Sequence, residues 1–263
     1  MSESPGGPSV VCLLKRLPRA LWVEASRTAA EINPVNHPHL EQLVRIDPEF
    51  DPTPERIALV TTRYWAATGV RLTVGFLDSP PSELRARIVF LMNAWARTAN
   101  VQFVETATDP QVRIARTPGD GHWSYLGTDI LHIPADQPTM NLDSYTMNMN
   151  TPEMELRGTV CHVTGHTMGI THEHLRRDLV ELIDEDKAIE YFRRTQGWNG
   201  EEVRLQVLTP IEESSLLGIP HADLASIMCY QIPGEITKNG KPIYRDRMID
   251  ADGFAAKLYP KHE

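Results

Sequence analysis

The stretch Cys161–His174, CHVTGHTMGITHEH, decides how the rest of this chain is read. His162 and His166 stand four residues apart, so on a helix both imidazoles leave one face about a turn apart and can grip one metal ion. Gly169 ends such a helix, because glycine tolerates the left-handed conformation of a helix stop. The chain can then turn back and present His172 as a third ligand. Two histidines at helical spacing arise often by chance. The full pattern H-x-x-x-H-x-x-G-x-x-H, with its glycine correctly placed, is hard to obtain without a metal. Three protein ligands leave a position open, as in catalytic rather than structural zinc sites. That arrangement favours one Zn2+, while all-nitrogen ligation also suits iron, copper or nickel, so another first-row transition metal is the alternative.

Outward from this stretch, Thr151-Pro152-Glu153 supplies a cap, a first-turn proline and an acid for the positive helix end, so a helix is expected from there to about Met168. Upstream, Val70 to Leu77 alternates Val70, Leu72, Val74 and Phe76 on one face, a half-buried strand. Pro80 and Pro81 stop it, and Ser82-Glu83 opens a helix with Leu84, Ile88, Leu91 and Trp95 at core-packing spacing. Val101–Glu105, Gln111–Ala115 and Asp129–Ile133 read as short strands. Downstream, helical patterns cover roughly 184–195 and 200–207, with a short helix near Ala251–Leu258. Residues 53–68 mix helical spacing with β-branched residues and fit either state. Strand, helix, then several strands imply an α+β lobe with a helix on one face of a mixed sheet.

Two further motifs give the stretch a family. The segment resembles the metzincin signature H-E-x-x-H-x-x-G-x-x-H, and the added Glu173-His174 is similar to the astacin branch. Ser226-Ile227-Met228-Cys229-Tyr230 resembles the astacin Met-turn S-I-M-H-Y, with Cys229 for the histidine. Gly121-His122-Trp123-Ser124-Tyr125-Leu126-Gly127 is similar to the family's G-C-W-S-x-x-G strand segment, with His122 for the cysteine. The resemblance covers roughly residues 120–230. It implies a two-lobed zincin fold, with mixed sheet and active-site helix in an upper lobe (about 51–170) and a mostly irregular and helical lower lobe (about 171–263). Residues 1–50 form an N-terminal segment outside the match. The resemblance further implies that His162, His166 and His172 bind zinc and that Met228 forms an apolar base beneath them. Tyr230 becomes a movable ligand or transition-state donor, and Glu173 a structural contact facing away from the water. As bare residues, Met228 and Tyr230 read as core.

The departure is Val163. In the family the residue after the first histidine is a glutamate that takes a proton from zinc-bound water and passes it to the leaving amine. Valine has no lone pair and no exchangeable proton, and general acid–base catalysis by one side chain is typically worth about 10²–10⁴-fold. Metal binding is expected to survive and peptide hydrolysis to be weak or absent. The alternative is a repurposed three-histidine metalloenzyme, with Lewis-acid or redox chemistry on a small molecule beside an apolar Val163 wall. Zinc as a mere tie between lobes is disfavoured by the open position and by Tyr230. Cys161, Cys229 and His174 flank the motifs and are expected to be structural rather than substitute bases. Cys12 is expected to be buried and inert, with capture of the metal as thiolate the alternative.

Composition bounds the rest. The chain has 263 residues and a formal net charge of −9, which argues against a nucleic-acid partner. Three cysteines make no disulfide framework, in keeping with the missing counterparts of the family's disulfides. The apolar run Val10–Leu14 is shorter than a secretory h-region, and no run approaches the ~20 residues that span a bilayer. A cytoplasmic protein with a peptide or small-molecule substrate and no membrane partner is the expectation.

Overall fold

The computed structural model describes residues 12–46, 49, 51–145, 153–211, 224–243 and 253–261. In chain order the regular elements are β1 (Cys12–Lys15), α1 (Trp22–Ile32), α2 (Leu40–Ile46), α3 (Pro54–Val60), β2 (Val70–Phe76), α4 (Ser82–Met92), β3 (Val101–Glu105), β4 (Val112–Ala115), β5 (His122–Tyr125), β6 (Met140–Asn141), α5 (Glu153–Thr167), α6 (Arg177–Val180), α7 (Glu185–Gln196), α8 (Gly200–Val203) and α9 (Gly253–Leu258). The strands form one mixed sheet in the order β1-β5-β6-β4-β2-β3, in which only β5 and β6 run antiparallel.

The sheet forms because its strands are short, β-branched and alternate. In β2, Val70, Leu72 and Val74 are buried while Arg71 is exposed. Helices α4 and α5 pack on each other and on the sheet. The stripe Leu84, Ile88, Leu91 and Trp95 is buried as its spacing predicts. Asn93 locks the end of α4 to β3, its side-chain amide donating to Phe103 O and accepting from Phe103 N, both at 2.9 Å. One apolar cluster joins this sheet and both helices; a second gathers Phe192, Val203, Val207, Tyr230 and Ile232 in the lower lobe. Among the described residues no helix is long and apolar enough to cross a membrane.

The sequence reading needs one correction and two refinements. Asp129–Ile133 is not a strand but part of a 3-10 turn, Gly127–His132. Gly127, at φ +46°, turns the chain there, and the Asp129 carboxylate is drawn 2.6 Å from Arg63 Nε. The pattern at 200–207 is one short helix followed by a wider π-type turn at Arg204–Leu208. The open segment 53–68 resolves into α3, capped by Thr53 Oγ1 accepting from Arg56 N, followed by an irregular stretch. The Thr151-Pro152 cap lies outside the described residues.

The N-terminal segment packs on the domain. Asn33 and Asn36 are buried, and their side-chain amides donate to Trp65 O at 2.7 Å and Tyr64 O at 2.8 Å.

Candidate metal centre

Helix α5 is held by its surroundings rather than by propensity. It contains two glycines and several β-branched residues, poor helix formers, yet nearly all of Thr159–Met168 is buried. Its end is fixed from outside: Trp65 Nε1 donates to Thr167 O at 2.8 Å, and the Tyr259 hydroxyl donates to Met168 O. Gly169 then takes φ +95°, and the chain returns. A Cβ there would stand 2.8 Å from Arg63 O, so glycine is required by space as well as by conformation.

The turn delivers His172 to the other two histidines. His172 Nε2 is 3.1 Å from His162 Nε2 and 3.0 Å from His166 Nε2. His162 Nδ1 donates to Ile227 O at 2.7 Å and His166 Nδ1 to Ile170 O at 2.8 Å. A carbonyl only accepts, so both rings carry their proton on Nδ1 and keep a lone pair on Nε2. All three rings are fully buried, and burial pushes the His166 pKa down to about 4, so it is neutral at pH 7. A tetrahedral ion bonded to nitrogens at 2.0–2.1 Å would separate them by roughly 3.3 Å. The three donors fit Zn2+ with little adjustment.

A buried thiol lies beside two of the three histidines. Cys12 Sγ lies within 4.8 Å of the ligating nitrogens of His162 and His166, and all three residues are buried. Zn–S near 2.3 Å would place sulfur about 3.6 Å from a ligating nitrogen, within that limit for His162 and His166. Burial alone pushes the Cys12 thiol pKa up, so a thiolate there needs a cation beside it. Cys12 is buried as expected, and its sulfur lies near His162 and His166, the place the alternative of metal capture requires. The signal in the sequence was only Cys12 within a short apolar run.

The Ser226–Tyr230 segment lies against the helix. Ser226 Oγ accepts from Met228 N at 3.0 Å, and Met228 O accepts from Glu173 N at 2.9 Å, tying the turn to the third ligand's segment. Close approach depends on Gly165, where a Cβ would collide with Met228 Sδ and stand 3.2 Å from Trp95 Cζ2. Gly158, on the same helix, has nothing within 4 Å. Opposite signs follow. Gly158→Ala should gain up to ~1 kcal/mol from helix propensity, whereas Gly165→Ala should lose about 1–3 kcal/mol through overpacking. Urea denaturation of both variants checks this, and equal shifts would refute it.

Val163 is fully buried and belongs to the same apolar cluster as Cys12, Trp95 and Met228. Tyr230 lies beside the histidines, its ring centroid 4.4 Å from His172 and stacked on His174 at 4.2 Å; its hydroxyl donates to Cys12 O. Glu173 is engaged by Arg176, Nε to Oε2 at 2.6 Å. His174 Nε2 donates to Gln206 O at 3.1 Å. Cys161 Sγ donates to Leu91 O and Cys229 Sγ to Tyr230 O, so neither thiol is directed at the cage. His122, in place of the family's cysteine, accepts from Asp143 N through Nδ1 at 3.1 Å. Gln206, which sequence reasoning missed, faces β1 from the lower lobe.

Comparison with known proteins agrees with this geometry. The family model for astacin, a peptidase family, matches residues 60–242. Among solved structures, myroilysin is 27% identical, with TM-score 0.69 over 76% of this chain and 97% of its own. A second myroilysin structure is 28% identical, with TM-score 0.55 over 76% and 86%. High choriolytic enzyme 1, a hatching enzyme zinc-protease from the medaka fish Oryzias latipes, is 16% identical over 76% and 93%, with TM-score 0.47. A search of the curated proteins gives no match.

Proposed function

The chain belongs to the astacin family of zinc metallopeptidases, and on that premise we propose that it is a zinc-binding member whose peptide hydrolysis is weak or absent. His162, His166 and His172 hold the ion, and the Cys12 thiolate completes the set in the state described above. With the thiolate withdrawn, zinc bound there would act as a Lewis acid on a carbonyl and lower the pKa of its water towards ~7.

The observation that carries the reading is Val163. It stands one residue after the first ligand, buried and without any group that can hold a proton. The nearest acid along the ligand segment, Glu173, is occupied by Arg176. Tyr230 keeps its hydroxyl on the Cys12 carbonyl and can donate to a substrate oxygen only once β1 has moved. The cleft therefore retains the means to hold a metal and a peptide, while the step that moves a proton lacks its residue.

Metal analysis and cobalt substitution test this. Protein purified without added metal should carry about one zinc per chain, and the cobalt form should show thiolate-to-cobalt charge-transfer absorption that Cys12→Ser removes. Neither protein should hydrolyse casein measurably. Metal-free protein, or turnover at the rate of a full peptidase, would overturn the reading. A small-molecule activity abolished by Val163→Glu would instead support the repurposed metalloenzyme.

A further inference from the structure

Beside the bend that follows the ligand helix the chain forms a cavity of about 410 Å³, a size in the range of small-molecule sites. Its walls come from places far apart in sequence: the turn after β1, α1, α3, the bend at Gly169 and residues 205–211 of the lower lobe. Helix α1 and nearly all of α3 precede residue 60, where the family match begins. The cavity is thus built partly from chain that the family model does not supply. Two hydrogen bonds hold these walls. Trp22 Nε1 donates to Leu17 O at 2.8 Å, and the Arg63 guanidinium donates to Ala58 O at 3.0 Å.

The lining has two characters. Leu17, Trp22, Leu126, Leu175 and Ile211 supply apolar surface. Lys15, Arg16, Arg56 and Arg63 set four cations against the single carboxylate of Asp129, a local reversal in a chain of net charge −9. Arg63 Nε pairs with Asp129 at 2.6 Å, and Lys15 Nζ lies over the Trp123 ring. Arg16 differs from both: among the described residues its side chain makes no hydrogen bond or ion pair. Desolvation lowers its pKa, Asp129 opposes that fall and Arg63 adds to it; a guanidinium nevertheless stays charged. With the one carboxylate already paired, the arrangement suits an anion that arrives from outside.

We propose that this cavity binds an amphipathic monocarboxylate, an aliphatic acid whose carboxylate pairs with Arg16 and whose chain lies on Leu17, Trp22, Leu126 and Leu175. One unpaired guanidinium matches one negative charge, and its planar fork takes both carboxylate oxygens. The hydrocarbon body follows from the walls, where its burial removes apolar surface from water. The site uses neither the histidines nor Val163, so it goes beyond the zinc reading and is tested apart from it.

Calorimetric titration of the full chain with decanoate, kept below its micelle threshold, is the experiment. Decanol carries the same tail without the charge, acetate the charge without the tail, and decyltrimethylammonium the opposite charge. One decanoate should bind per chain, at least tenfold more tightly than any of the three. Arg16→Gln should weaken decanoate at least tenfold, the worth of a hydrogen bond to a charged group, and leave decanol unchanged. Leu59→Glu sets a rival carboxylate on the wall at a residue that is 50% exposed, and should weaken decanoate several-fold with Arg16 intact. Circular dichroism verifies that both variants fold. No binding of decanoate, decanol or the cation bound as tightly as decanoate, or an unchanged decanoate affinity in both folded variants would overturn the proposal.

Discussion

A chain carrying both Val163→Glu and Leu14→Pro, which removes the N–H bonded to Gln206 and so unseats β1 together with Cys12, should hydrolyse an unstructured peptide at least ~100-fold faster than the parent, the low end of what a positioned general base contributes. Each change alone should do little. Glutamate alone leaves β1 and its thiol beside the histidines, and proline alone opens the cleft with no group to carry the proton. The pair should therefore be strongly non-additive, as expected for groups that act in one step. A cost comes with it: position 163 is fully buried, and a carboxylate there is desolvated and its pKa raised. A pKa nearer neutrality suits a base, while folding stability should fall. The measurement is peptide turnover per bound zinc in the parent, both single variants and the double variant. A folded, zinc-loaded double variant without gain would mean that the cleft has been reshaped beyond proteolysis.

The second large effect lies away from the metal. Arg63 Nε is 2.6 Å from Asp129 Oδ1, with little of either side chain exposed. The guanidinium also donates to Ala58 O at 3.0 Å and to Thr61 O. Arg63 O accepts from Thr128 N and lies against Gly169, so one residue joins α3, the 3-10 turn and the bend after the ligand helix. Arg63→Met should cost about 3–5 kcal/mol, because it strands a buried carboxylate. Burial already raises the Asp129 pKa, and Arg63 opposes that rise. Without arginine the native state binds the proton more readily than the unfolded chain. The loss should therefore be greater at pH 8 than at pH 4, since stability falls with rising pH where the native state holds the extra proton. Denaturation at both pH values checks the sign. Adding Asp129→Asn should recover part of the loss, and a single-variant loss under ~1 kcal/mol would refute the argument.

The features legible in the sequence were those carried by local periodicity. The histidine spacing, the Gly169 break, the alternation in β2 and the α4 stripe each state their geometry within a few residues, and the structure repeats them. The astacin-type segments extended that reading across the lower lobe because their order along the chain matched. Contacts over long separations stayed hidden. Nothing near Cys12 says that it reaches a cage formed about 150 residues later, and a four-residue strand is too short to show a period. Gln206 sits in a π-type turn with no spacing rule. At Asp129–Ile133 the apolar pattern was real, but a buried ion pair and a glycine at positive φ overrode it.

The carbonyls at the end of the ligand helix are held by Trp65 and Tyr259, 102 and 91 residues distant, and Trp65 N donates to the same Tyr259 hydroxyl at 3.0 Å. Small zinc domains assemble their donors only when the ion arrives, so chelators unfold them. Here the helix end is pinned by hydrocarbon and hydrogen bonds that owe nothing to a cation. The entropy of ordering the imidazoles is met during folding, and the cage stands preorganised. Capture and release of zinc at the proposed site would then resemble ligand exchange at a rigid pocket more than a folding transition.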